Sequence, residues 1–260
     1  CLFANGAALS LRGARGARIA AAFGFALCIL NGIYGIVRLE AQQSGRIRVA
    51  ALADESDMIA AYRAKARDRD MTLASIYAAA IGGAASHGAQ LAVTAEGGIL
   101  TSREWQDAVF AQLAAAAKDG NIQIVAGIAR RDPPADDAMT FHPDGRVQRY
   151  AKRHLVPGLE TQFVPGSAPG LLGSGRAVTI CKDMDFPATI RGDAQSGIRV
   201  MAVPAGDFVR DGWIHARMAI LRGVENGFAV VRAANKGLLT VSDAQGRVIL
   251  RKAYAPRGIY

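Results

Sequence analysis

The longest uncharged apolar run in the chain is Ile19 to Val37, bracketed by Arg18 and Arg38. About 20 such residues span the hydrocarbon core of a bilayer. A signal-peptide core is shorter and ends at small residues, and a buried core helix of this length would show a polar face. The run therefore predicts a transmembrane helix. A shorter apolar piece, Cys1 to Leu11, precedes it, and Arg12, Arg15 and Arg18 lie between the two. Residues 1–40 thus read as the end of one helix, a basic turn and a membrane span. The basic turn places whatever follows Val37 on the far side of the membrane. A start at Cys1 rather than Met, and an end at Tyr260 soon after the last strand, lead us to expect a segment of a longer protein.

Beyond a linker at Ala41 to Gly45, the pattern changes to short apolar strands alternating with helices. Strands are predicted at Arg46–Leu52, Leu91–Ala95, Ile122–Ala129, Arg176–Ile180, Ile198–Val203, Phe228–Ala234, Gly237–Asp243 and Val248–Lys252. Helices are predicted at Met71–His87, closed by Gly88, and at Trp213–Asn226. Another runs from a Ser102 cap to about Lys118, with Glu104 in its first turn, where the helix dipole favours an anion. Pro133-Pro134 reads as loop, and Pro143-Asp144-Gly145 as the turn of a hairpin between Met139–His142 and Arg146–Arg149. Strands alternating with helices predict a layered α/β domain over residues 46–260.

Composition adds little to this picture. The net charge of +9 comes from scattered Lys and Arg, without the aromatic-interleaved basic stripe of a nucleic-acid binder. A cationic surface suits anionic lipid headgroups equally well. Of the three cysteines, only Cys181 falls in the folded domain, so that domain has no internal disulfide. His87, His142, His154 and His215 lack metal-ligand spacing, and no cofactor or metal is indicated.

Three chemically capable residues stand at or just beyond strand ends, where side chains converge outside the packed core of an α/β sheet. They are Glu96, Lys152 and Cys181. Singly, each reads most simply as a loop carboxylate, a surface lysine and a small core residue.

Their flanking sequences change that reading. Tyr150-Ala-Lys152-Arg-His154-Leu-Val-Pro157-Gly-Leu-Glu160, followed by Phe163-Val-Pro165-Gly166, resembles the lysine motif of the nitrilase superfamily. Thr179-Ile-Cys181-Lys-Asp183-Met-Asp185-Phe186-Pro187 resembles its nucleophile motif. Glu96, in Val93-Thr-Ala-Glu96, takes the place of its glutamate in the same chain order. Downstream, Asp207-Phe208, Trp213, His215, Arg217, Arg222, Glu225-Asn226 and Arg232-Ala-Ala-Asn235-Lys-Gly237 follow the superfamily's succession. The resemblance covers about residues 46 to 252. It implies an α-β-β-α sandwich and a Glu96, Lys152, Cys181 triad supported by Glu160. The preceding span points to the apolipoprotein N-acyltransferase branch, whose catalytic domain faces the periplasm from the bacterial inner membrane.

In that chemistry Cys181 attacks a carbonyl as a thiolate. Glu96 takes the thiol proton and returns it to the leaving group. The Lys152 ammonium and the backbone N–H of Lys182 stabilise the oxyanion. The resulting thioester goes to an amine in a transferase and to water in a hydrolase. The leading expectation is transfer of a fatty acyl group from phospholipid to the N-terminal amine of a lipoprotein. The alternative is a membrane-tethered amidase acting on a small amide. A module that only binds has no need of this residue set. Phe163, Val164, Leu171, Leu172 and Phe208 are candidates to line an acyl channel. The chain departs from the pattern at Ala95, where proline is frequent, and at Lys182 and Asp183, where an aromatic and a glutamate are frequent. Its Glu160–Cys181 segment is also short for the acyltransferase branch.

Overall fold

A computed structural model describes residues 15–40, 45–54 and 58–253. The expectations for Cys1–Leu11, for Arg12 and for most of the Ala41–Gly45 linker fall outside the described residues. The chain divides into two compact units, Cys1–Arg46 and Ile47–Tyr260.

Among the described residues of the first unit, a helix, α1, runs from Arg15 to Glu40. Its segment Gly16–Glu40 is long and apolar enough to cross a membrane, and most of its surface is exposed. Ile19, Phe23, Leu30 and Val37 are all at least 60% exposed, a distribution opposite to that of a soluble core helix. Asn31, the polar residue in mid-span, donates its side-chain amide to the Leu27 carbonyl one turn back at 2.9 Å.

The second unit is built on two six-stranded sheets. The first holds β1 (Val49–Leu52), β2 (Leu91–Thr94), β4 (Gln123–Arg131), β5 (Pro134–Phe141) and β6 (Val147–Ala151) in that order, with β3 (Ile99–Thr101) also paired to β4. The other holds β12 (Val248–Ala253), β11 (Leu238–Ser242), β10 (Ala229–Asn235), β9 (Val200–Gly206), β8 (Arg176–Val178) and β7 (Gly170–Gly173). β1, β2 and β4 run parallel, as do β8, β9 and β10, while the remaining pairs are antiparallel except β3 with β4.

Residues alternate along a strand, so each sheet has one face for its partner and one for helices. Leu91, Val93, Val125 and Tyr150 of the first sheet meet Val178, Ala202, Val231 and Ala233 of the second in one buried cluster. On the outer face of the first sheet, α3 (Arg67–Ser86) and α4 (Gln106–Asp119) bury Tyr77, Ile81, Val109 and Leu113 against Ile124 and Ile128. Outside the second, α5 (Pro187–Ala194) and α6 (Gly212–Asn226) place Ile190 and Ala219 on Met201, Val203 and Val230. The result is the α-β-β-α sandwich implied by the resemblance. A short helix, α2 (Met58–Ala64), completes the elements.

Several local expectations are corrected. Ser102 does not cap α4 through its side chain: its hydroxyl is buried without a hydrogen-bond partner. Because Ile99–Thr101 pair with β4, Ser102 closes a strand, and its carbonyl accepts the N–H groups of Trp105 and Gln106. The helix therefore starts at Gln106, with Asp107 rather than Glu104 in its first turn. Pro134 is not in a loop but opens β5, a position that costs a strand no ladder bond. The elements α2, α5, β3 and β7 are too short to impose a readable period.

Close approach between strand β4 and the chain after β2 fixes Gly127. A Cβ there would stand 2.2 Å from the Ala95 carbonyl oxygen and 2.7 Å from the Glu96 Cα. Gly127→Ala should lower stability in urea by about 1–3 kcal/mol, as overpacking of a tight site does. An unchanged unfolding midpoint would contradict this packing.

Candidate active site

Each candidate residue is delivered by a strand end. β2 finishes at Thr94, and Glu96 lies just beyond it, with its backbone N–H donating to Ala205 of β9 in the other sheet at 3.1 Å. Lys152 directly follows β6, and its N–H pairs with the Asp136 carbonyl of β5 at 3.1 Å. Cys181 opens a 3-10 turn, Cys181–Asp185, just after β8. Its φ of +39° is a left-handed conformation that costs a non-glycine residue on the order of 1–3 kcal/mol.

Cys181 and Glu96 meet at Gly206, and Lys152 joins them through Glu96. The Cys181 thiol donates to the Gly206 carbonyl at 3.4 Å. A Glu96 carboxylate oxygen lies 3.3 Å from where a Gly206 Cβ would be, so the missing side chain makes room for the acid. Lys152 is 1% exposed. Its ammonium donates to Glu96 and, at 2.6 Å, to Glu160, and lies 3.3 Å from Asp136. Glu160 is in turn held by the Val156 N–H at 2.7 Å.

Glu96, Asp136 and Glu160 bring carboxylate oxygens within 4.8 Å of one another, a grouping able to hold a cation. In this protein the Lys152 ammonium makes contact with all three. Burial alone would drive that ammonium toward neutrality, but the acidic groups around it, Glu96 first, outweigh burial and raise its pKa. Burial, and then the Glu96 charge, raise the Glu160 carboxyl. The Cys181 thiol is pushed well above its ordinary value, first by burial and then by Glu96, with Lys152 and Arg232 opposing. The pKa direction and the hydrogen bond to Gly206 both fit Cys181 as a thiol.

Asp183 is not beside the sulfur. It is fully buried and braces the turn that presents Cys181. Its carboxylate accepts from the Tyr150 hydroxyl at 2.6 Å, the Ile180 N–H at 3.0 Å and the His154 N–H at 2.8 Å, tying the lysine motif to the nucleophile motif. The Lys182 ammonium pairs with Asp185 at 3.4 Å and lies over the Phe186 ring. Among the acyl-channel candidates, Leu172 is instead part of the inter-sheet core, whereas Val164, Leu171 and Phe208 are exposed.

Sequence reasoning missed two charged residues. Asp136 lay in a stretch read as loop, and only its place opposite Lys152 on a ladder reveals it. Arg232 is 2% exposed and bound bidentately by Asp207 at 2.6 and 2.9 Å. Its charge reaches Cys181 and Glu96. Apart from the motif succession, nothing local to Arg232 separates it from any other strand arginine.

The sequence profile described as Carbon-nitrogen hydrolase matches residues 48–252, nearly the whole second unit. The chain belongs to the carbon-nitrogen hydrolase family. It is 29% identical over 187 residues to an apolipoprotein N-acyltransferase of Haemophilus influenzae, covering 58% of this chain and 35% of that one. It is 34% identical over 120 residues to an (R)-stereoselective amidase of Pseudomonas sp., covering 41% and 44%. The chain thus spans less than half the length of these curated relatives. An amidase from Nesterenkonia sp. AN1 in complex with acrylamide shares the fold, with a TM-score of 0.69, 22% identity and coverage of 84% and 91%. As a member of this family the chain is an enzyme with a cysteine nucleophile.

Two substitutions should move thiol reactivity in opposite directions. A neighbouring negative charge disfavours the thiolate and a positive one favours it. Glu96→Gln should therefore shift Cys181 alkylation by iodoacetamide to lower pH, and Lys152→Met to higher pH. Lys152→Met should also lose about 3–5 kcal/mol of stability by leaving buried carboxylates unpaired. Parallel shifts in the two variants would refute the electrostatic assignment.

Proposed function

We propose that Cys181 forms a thioester with a fatty acyl group from phospholipid and that the N-terminal amine of a membrane lipoprotein then takes the acyl group. The meeting of Cys181 and Glu96 at Gly206, with Lys152 bound to Glu96, carries the acyl-enzyme part of this reading. Glu96 receives the thiol proton as sulfur attacks the ester carbonyl, and returns it to the departing alcohol oxygen. Lys152 and the Lys182 backbone N–H bind the oxyanion, and Glu160 positions Lys152. In the second half, the amine attacks the thioester carbonyl and forms the amide. Its surplus proton passes to Glu96 and the sulfur regains a hydrogen.

The apolar helix α1 and the Haemophilus influenzae relative support a lipid donor over a soluble one. They also support a bacterial inner-membrane location, with the catalytic unit on the periplasmic side. An acyl donor and a lipoprotein acceptor confined to one bilayer meet in two dimensions, which raises their effective concentration. The second reading is a membrane-tethered amidase acting on a small amide. The short Glu160–Cys181 segment and the Pseudomonas relative favour it.

The full chain in liposomes containing acyl-labelled phospholipid should carry label on Cys181 and pass it to a lipopeptide amine with ping-pong kinetics. Cys181→Ala should lose both steps while unfolding at the wild-type temperature. Ammonia release from small amides without any transfer to amines would make the amidase reading correct. Label retained by the Cys181→Ala chain would remove the nucleophile assignment.

A further inference from the structure

Asp136 and Asp137 are consecutive on β5, so the pleat sends their carboxylates to opposite faces of the sheet. Asp137 is met by two guanidinium groups, Arg130 at 2.8 Å and Arg149 at 2.9 Å. Asp136 faces the site. Its backbone carbonyl takes the Lys152 N–H, which sets the two residues opposite each other on the ladder with side chains on one face. Asp136 Oδ2 lies 3.3 Å from the Lys152 ammonium, which also serves Glu96 and Glu160. Asp136 Oδ1 is buried and has no hydrogen-bond partner among the described residues.

Three ionised carboxylates around one ammonium would leave two uncompensated negative charges among oxygens within 4.8 Å of one another. Like charges that close do not all persist away from water, and one site takes a proton. The nearby Arg232 does not relieve the excess, because Asp207 already neutralises it bidentately. Glu160 has its Val156 N–H, and the side chains of Glu96 and Glu160 are 11% and 16% exposed against 5% for Asp136. The proton therefore belongs on Asp136.

We propose that Asp136 works as a neutral carboxylic acid, a positioning residue whose O–H hydrogen-bonds the Glu96 carboxylate and keeps it aimed at the Cys181 thiol. The inference rests on the assignment of Glu96, Lys152 and Cys181 made above. Burial and then the Glu96 charge act on Asp136 in the same direction, with Lys152 opposing and Glu160 adding to the rise. A hydrogen bond from protonated Asp136 to Glu96 lets the pair retain one negative charge rather than two. When Glu96 takes the thiol proton, the Asp136 O–H stays in place, so the return of that proton starts from the same geometry.

The decisive variant is Asp136→Asn, which keeps shape and a donor but cannot ionise. An unfolded aspartate loses its proton near pH 4. If folded Asp136 keeps it, the folded state binds more protons than the unfolded state, and the wild type loses stability as pH rises above that value. Asp136→Asn lacks this loss, so urea unfolding of the full chain in detergent should show the variant gaining on the wild type from pH 4 to 8. An Asp136 held ionised by Lys152 is deprotonated in both folded and unfolded states above about pH 5, so the variant would then show no gain on the wild type from pH 5 to 8, and that flat difference overturns the proposal. An Asp136→Asn chain that does not fold overturns it too, since a neutral isostere should suffice.

In turnover, Asp136→Asn should keep kcat within about fivefold, and Asp136→Ala, which lacks a donor, should lose about tenfold or more. Equal losses in both variants would overturn the donor role. The stability slopes need no substrate. They therefore judge Asp136 even where wild-type protein neither transfers acyl groups nor releases ammonia, the outcome that would instead defeat the proposed function.

Discussion

The Lys152 ammonium is the constraint around which the rest of the catalytic unit is arranged. A lysine 1% exposed is tolerated only where its charge is matched and its hydrogens are bonded. Glu96 and Glu160 supply the matching charge and Asp136 a further polar contact, from three separate stretches of chain, and each is held by a contact that does not involve the lysine side chain. Glu96 is hung from β9, Glu160 from the Val156 N–H, and Asp136 is fixed by its register on β5. The cluster is therefore built before any substrate arrives, which is what electrostatic catalysis in a water-poor site requires.

The two-sheet architecture explains why such a cluster can exist. Glu96 and Lys152 come from the ends of β2 and β6, and Cys181 from the end of β8 in the other sheet. Neither sheet alone brings the thiol, the carboxylate and the ammonium together. The contact between sheets is held by apolar residues over most of its area and by polar bonds at one edge. Asp183 locks that edge, because its carboxylate joins the chain at His154 to the turn at Ile180. A glutamate at this position would reach one methylene further. The shorter aspartate fits because Tyr150, Ile180 and His154 close directly on it.

The resting thiol separates two accounts of nucleophile activation. A lone ammonium beside sulfur would yield a low-pKa, exposed, oxidation-prone thiolate. Here burial, and then the Glu96 charge, oppose that outcome and raise the thiol.

The sequence by itself determined the layered α/β class and the apolar helix near its start, and it singled out Glu96, Lys152, Cys181 and Glu160 as candidates. Those features are local: a 19-residue uncharged run, strand-end positions and two contiguous motifs. It also supplied Asp183, but as a site residue of unspecified contact. Tertiary structure alone decided that Asp183 braces the turn, that Arg232 is buried on Asp207 within electrostatic reach of the thiol, and that Asp136 shares the lysine. Each depends on which strand lies beside which. Asp136 becomes visible only when β5 and β6 are set in register, and Arg232 only when β10 lies against β9. A short apolar pattern can announce a strand but carries no label for its neighbour. The long-range pairing that decides how many carboxylates one buried lysine must balance is a property of the fold.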